Sequence, residues 1–105
     1  MHYAKTVYKA CESFPRSELY GLADQMKRAA VSVASNIAEG QARQHLAEFR
    51  QFLVIANGSL AELDTRRIIA EELKLIDHER SARLDISIME IRKILYVLNI
   101  KLKSV

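Results

Sequence analysis

Little in this sequence breaks a helix: 105 residues contain three glycines and one proline. That scarcity excludes the turn-rich all-β folds, which need punctuation every few residues. No tryptophan is present and the only cysteine is Cys11, so an intramolecular disulfide is impossible, and its neighbours Val7, Tyr8 and Phe14 make it a small apolar filler. No apolar run approaches the roughly 20 residues of a membrane span, and no charged leader precedes an apolar stretch, so a soluble, cytoplasmic protein without membrane partners is expected.

Catalytic vocabulary is equally sparse. Helical di-iron sites need paired Glu-x-x-His motifs, and none occurs; His2, His45 and His78 fall near expected helix ends. Cys11 has no basic cluster to lower its pKa, the serines lack a glycine-rich elbow, and no phosphate-cradling loop exists. The expectation is no catalytic residue, metal, cofactor or small-molecule substrate.

What is present is apolar spacing of three and four. Helix one is expected from Met1 to Phe14 and ends before Pro15, because the residue before a proline is pushed out of the α region. Helix two begins near residue 18, with Ser17 as N-cap, and carries Leu19, Leu22, Met26, Ala29, Val33 and Ile37 plus the small residues Ala23, Ala30, Ala34 and Ala38. Gly40 is its expected stop, in the left-handed position. Helix three spans Leu46 to Leu73 with Phe49, Leu53, Ala56, Leu60 and Leu63 in register, and its internal Gly58 implies close approach to another helix. Asp77 caps helix four, whose Leu84, Ile88, Ile91, Leu95, Leu98 and Leu102 repeat to the end.

These elements imply an all-α fold, an antiparallel up-down four-helix bundle in one domain over residues 1–105. Its expected core includes Leu22, Met26, Ala29, Val33, Phe49, Leu53, Leu60, Leu63, Leu84, Ile91, Leu95 and Leu98. Helix four has a second apolar line through Ile86, Met89 or Lys93, Ile94, Val97 and Ile100, more than one bundle needs. Ile94, Val97 and Ile100 are therefore the expected surface for self-association, together with the small-residue face of helix two.

Two polar lines interrupt the pattern. Gln25, Ser32, Asn36 and Glu39 share one side of helix two, and Ser59, Glu62 and Arg66 one side of helix three. Facing each other, Asn36, Glu39, Arg43, Ser59 and Glu62 would form one structural polar cluster, in which each buried group needs a partner. The alternative is a solvated stripe, and for Asn36 the two stand level.

The block from Leu19 to Arg43, with Tyr20-Gly21-Leu22, Arg28-Ala29-Ala30 and Asn36-Ile37-Ala38-Glu39-Gly40, followed by Gly58-Ser59-Leu60-Ala61-Glu62-Leu63, resembles the signature of the 23S rRNA intervening-sequence proteins. The sequence departs from that pattern at Lys27, where arginine is usual, at Ala34, where proline is common, and in lacking an aromatic leader to helix one. The resemblance implies an antiparallel four-helix bundle assembled into a homopentamer, no catalytic residues, and similarity to the accessory protein of diversity-generating retroelements, a basic pentamer that engages reverse transcriptase and nucleic acid.

The formal net charge is +3, and five copies would carry about +15, enough for phosphate contacts. Candidate contacts to RNA or DNA are Lys27, Arg28, Arg43, Arg50, Arg66, Arg67, Arg80, Arg83, Arg92, Lys93, Lys101 and Lys103. No base-reading motif accompanies them, so binding would be led by shape and sensitive to salt. The competing expectation is a protein-interaction scaffold that binds no nucleic acid.

Overall fold

A computed structural model describes residues 2–12, 14 and 21–103, apart from the side chains of residues 2–4. Four α-helices account for almost all of them: α1 (His2–Cys11), α2 (Leu22–Ala42), α3 (Leu46–Glu72) and α4 (His78–Lys103). No strand occurs among the described residues. The molecule is elongated, 46 × 22 × 19 Å, because α3 alone runs for roughly 40 Å at 1.5 Å per residue.

Each helix packs on two others, α2 on α1 and α3, and α4 on α3 and α1, with α2 against α3 the most extensive contact. The three-four stripes all turn inward. Met26, Val33, Leu53, Leu60, Leu63, Leu84, Ile88 and Leu95 are fully buried, while Leu22, Phe49, Ile91 and Leu98 are half-buried and pack against that core. Of the small residues of α2, Ala23, Ala29 and Ala30 are buried inside the chain, Ala34 is half-buried and Ala38 is exposed. The small-residue face of α2 is thus taken up only in part within the chain.

Helix ends differ from expectation in two places, and one internal glycine differs as well. α1 closes at Cys11, with the Phe14 N–H bonded to the Cys11 carbonyl at 3.1 Å, before the proline is reached; Pro15, Ser17 and Glu18 lie outside the described residues. α2 does not stop at Gly40 but continues to Ala42. Gly40 is buried there, and its missing side chain makes room for Phe49 and Phe52, so packing and not left-handed geometry is its reason. At Gly58 the opposite holds: a Cβ there would meet nothing within 4 Å, and the close neighbour expected for it does not exist inside the chain.

The α3–α4 connection turns without glycine. Lys74 takes φ 60°, with its N–H bonded to the Glu71 carbonyl at 3.0 Å and the Leu75 N–H to Ala70 at 2.9 Å, a Schellman closure. Asp77 then caps α4 as its position implied, its Oδ1 accepting from the Arg80 N–H at 2.7 Å.

Candidate interaction surfaces

The facing polar lines of α2 and α3 do meet, through a residue outside the expected cluster. Ser32 and Ser59 share a hydrogen bond at 2.8 Å across the seam. Asn36 is half-buried and reaches Ser59 only indirectly, donating from Nδ2 to the Ser32 carbonyl at 2.7 Å and to the Ser32 hydroxyl at 3.2 Å. Further along, Arg66 donates to Gln25 at 3.0 Å and to Glu62 at 3.1 Å.

Glu39 and Arg43 do not join this group. They pair with each other at 3.2 Å, and the Arg43 guanidinium lies 5.1 Å above the Phe52 ring. The register explains the separation. Ser32 faces Ser59 and Gln25 faces Arg66, so Glu62 lies opposite the stretch near Ala29, about ten residues or roughly 15 Å from Glu39. The single five-residue cluster is therefore two polar groups at different levels of the same seam.

A tighter polar network, unforeseen from the sequence, joins α3 to α4. Arg67 is paired with Asp64 at 2.9 Å and Asp85 at 3.4 Å, donates to the Ser81 hydroxyl at 2.9 Å, and is 13% exposed. Arg92 reaches the same Asp64 at 3.6 Å. Ser81 is wholly buried, and its hydrogen bond to Glu71 is the first cause holding that carboxyl below its ordinary pKa, ahead of the neighbouring His78 and Arg67 charges. A buried serine flanked by paired charges is satisfied here from both sides. Arg67 is consequently a structural residue, and the structure withdraws it from the surface cations available to a phosphate.

Most other candidate cations are exposed but partnered. Arg28 pairs with Asp24 at 3.0 Å, Arg80 with Asp77 at 4.0 Å and Arg83 with Glu79, while Lys27 sits 5.1 Å over the Tyr8 ring. Such exposed pairs are weak and open readily to a competing anion. Arg50, Lys93 and Lys103 form no ion pair with a described residue. Residues 92–103 hold Arg92, Lys93, Lys101 and Lys103 and no carboxylate, which makes the end of α4 the most uniformly basic stretch of the chain.

That same stretch is apolar on its outer side. Ile94, Val97 and Ile100 are 51%, 48% and 48% exposed, with Ile86, Met89 and Tyr96 beside them. A shallow cleft of about 450 Å³ lies on this face between Met89, Arg92, Lys93, Tyr96 and Val97. A second apolar area lies on the outside of α3, where Val54, Ile55, Ile68 and Ile69 are exposed around Gly58. In the sequence Ile68 and Ile69 read as a drift of the helix-three stripe, and Val54 and Ile55 adjoin its core positions Leu53 and Ala56, so periodicity does not mark them as an outer face.

Among the described residues no group of three His, Cys, Asp or Glu side chains is arranged to hold a metal ion. Cys11 is buried, and burial pushes its thiol up to about 11, against a smaller opposing effect of Lys27. Among the described residues no helix is long and apolar enough to cross a membrane.

Residues 1–97 match the sequence profile of the 23S rRNA-intervening sequence protein family. Comparison with individual curated proteins gives no match.

Proposed function

The chain belongs to the 23S rRNA-intervening sequence protein family, and from that premise we propose a non-enzymatic, cytoplasmic protein that works as a homo-oligomer, a pentamer, and binds RNA or DNA through its basic surface. The observation that carries this reading is the outer face of α4, where Ile94, Val97 and Ile100 stand in water beside Arg92, Lys93, Lys101 and Lys103. Each such side chain gains roughly 1.5–3 kcal/mol when fully buried, so a second copy is favoured over solvent. Assembly then multiplies the charge of one chain into a field strong enough for phosphate.

Within each copy we infer an antiparallel up-down bundle, supported by the descending register of Gly40 with Phe49, Ser32 with Ser59 and Gln25 with Arg66. The pentameric count and the kinship with the accessory protein of diversity-generating retroelements rest on the sequence resemblance. A scaffold without nucleic acid is the second reading, favoured by the carboxylate partners of Arg28, Arg43 and Arg66.

Light scattering at micromolar concentration, followed by titration with structured RNA, duplex DNA and single strands at two salt concentrations, tests the proposal. A species of 12.0 kDa refutes assembly. An oligomer that binds none of the three nucleic acids at low salt replaces the first reading by the second.

A further inference from the structure

The ion pair of Asp64 with Arg92 at 3.6 Å marks where α3 and α4 still face each other beyond the Arg67 network. Asp85 meets Arg67 and Arg92 meets Asp64, so numbers fall along α3 as they rise along α4. Helical spacing carries the two facing rows onward from that pair, to Asn57, Val54 and Arg50 on α3 and to Tyr96, Asn99 and Lys103 on α4. Arg92 and Lys103 lie about 16 Å apart along the helix axis.

Beyond Asp64 neither row holds a carboxylate, and Asp64 itself is matched by Arg67 and Arg92. Arg50 and Lys103, with Lys93 beside Tyr96, form no ion pair with a described residue. Their charge is open to an anion lying along the groove between the two helices. Cations alone would take any polyanion, and Tyr96 narrows the class. Its ring is 67% exposed, in the cleft it forms with Arg92 and Lys93. An aromatic ring in water between cations suits a nucleobase, which stacks on it while the flanking phosphates meet the charges. Bases of a single strand are free to do so, whereas those of a duplex must first leave their own stack. Asn57 and Asn99 are half-buried, and their side chains bond to no described residue, so each amide can donate to or accept from a base edge.

We propose that the groove between α3 and α4, from Arg92 to Lys103, binds single-stranded RNA or DNA, with one base stacked on Tyr96 and phosphates at Arg92, Arg50 and Lys103. The proposal rests on the nucleic-acid reading above and gives it a strand type and a place.

Fluorescence tests it directly. The chain has no tryptophan, so Tyr96→Trp puts a single indole at the stacking position, on an exposed site outside the core. A short uridine oligonucleotide should quench its emission saturably, and a duplex of equal length should not. Tyr96→Ala should weaken binding of the oligonucleotide by roughly tenfold and leave binding of the duplex unchanged. Asn57→Asp, which sets a carboxylate on the opposite wall, should weaken it as well while helical circular dichroism stays that of the wild type. Wild-type protein that binds neither strand type at low salt overturns the nucleic-acid reading itself. Binding without quenching, equal losses for both strand types in Tyr96→Ala, or wild-type binding by Asn57→Asp overturns the groove alone. So does emission of Tyr96→Trp that shifts with protein concentration in the absence of nucleic acid, because a second copy would then cover the ring.

Discussion

The ring of Phe49 lies on Gly40 so closely that a methyl group on the glycine would stand 2.7 Å from Cδ1, with the Phe52 Cβ at 3.0 Å. Alanine at this position is a better helix former by about 1 kcal/mol, yet forcing the two phenylalanines back should cost about 1–3 kcal/mol. Gly40→Ala is therefore expected to lower stability in urea titration. Gly58→Ala, with open space around it, should raise monomer stability by up to about 1 kcal/mol. Equal signs for the two substitutions would mean that the glycines had been assigned the wrong roles.

Lys74 holds φ 60° at the end of α3, where left-handed geometry costs a side chain roughly 1–2 kcal/mol. Glycine avoids that strain but loses about 0.5–1 kcal/mol through greater freedom in the unfolded chain. Lys74→Gly should thus stabilise the fold by about 1 kcal/mol or less, read as a higher denaturation midpoint at unchanged slope. A lower midpoint would show that the lysine side chain contributes a contact outweighing the strain.

The Ser32–Ser59 bond at 2.8 Å crosses between helices, whereas both Asn36 bonds return to its own helix. Ser59→Ala should cost about 1 kcal/mol, the usual net value of a hydrogen bond. Asn36→Ala should be close to neutral, because alanine recovers up to about 0.7 kcal/mol of helix propensity. Chemical denaturation of both variants decides which residue ties α2 to α3; a larger loss at Asn36 would return the registry role to it.

That contrast shows what the sequence could convey. Periodicity located four helices and the α4 core line, because burying one stripe leaves the same spacing in any such fold. It placed Asn36 and Ser59 on facing lines but left out Ser32 as the bridge, since spacing along one helix carries no axial register between two. Gly40 and Gly58 were read the wrong way round for a related reason. A glycine's purpose depends on the neighbouring helix, and the sequence shows only its own. Arg67 takes the step between Leu63 and Ala70 on the α3 line and Ser81 the step before Leu84 on the α4 line, so both were visible as polar residues on apolar stripes, but their partners Asp64 and Asp85 lie on different helices.

Cys11 is buried, with its thiol pushed up to about 11 from 9.0. Between those values the unfolded chain has lost the proton and the folded one retains it, so the stability this group contributes is whole below pH 9 and declines as pH rises through 11. Denaturation midpoints of wild-type protein should fall more steeply over that range than those of Cys11→Ala. Thiol reagents at neutral pH should react only as fast as the protein opens. Rapid labelling of the native chain would place Cys11 at the surface.

Arg67 and Arg50 provide a separation of stability from binding. Arg67 is almost enclosed by Asp64, Asp85 and Ser81, so Arg67→Ala leaves Asp85 without its cation, Asp64 with Arg92 alone and Ser81 with Glu71 alone. The cost should be about 1.5–3 kcal/mol, the range for losing hydrogen bonds to charged groups, because Asp64 keeps Arg92 and Asp85 keeps access to water. Arg50 is exposed on α3 with no carboxylate partner among the described residues, and Arg50→Ala should change stability by no more than about 0.5 kcal/mol. If the basic surface contacts phosphate at Arg50, its loss should flatten the dependence of log affinity on log salt by about 1 for each contact removed. Arg67→Ala, measured where it remains folded and assembled, should leave that slope unchanged. The reverse pattern, a changed slope at Arg67 and none at Arg50, would place nucleic acid on the α3–α4 network and away from the outer face of α3.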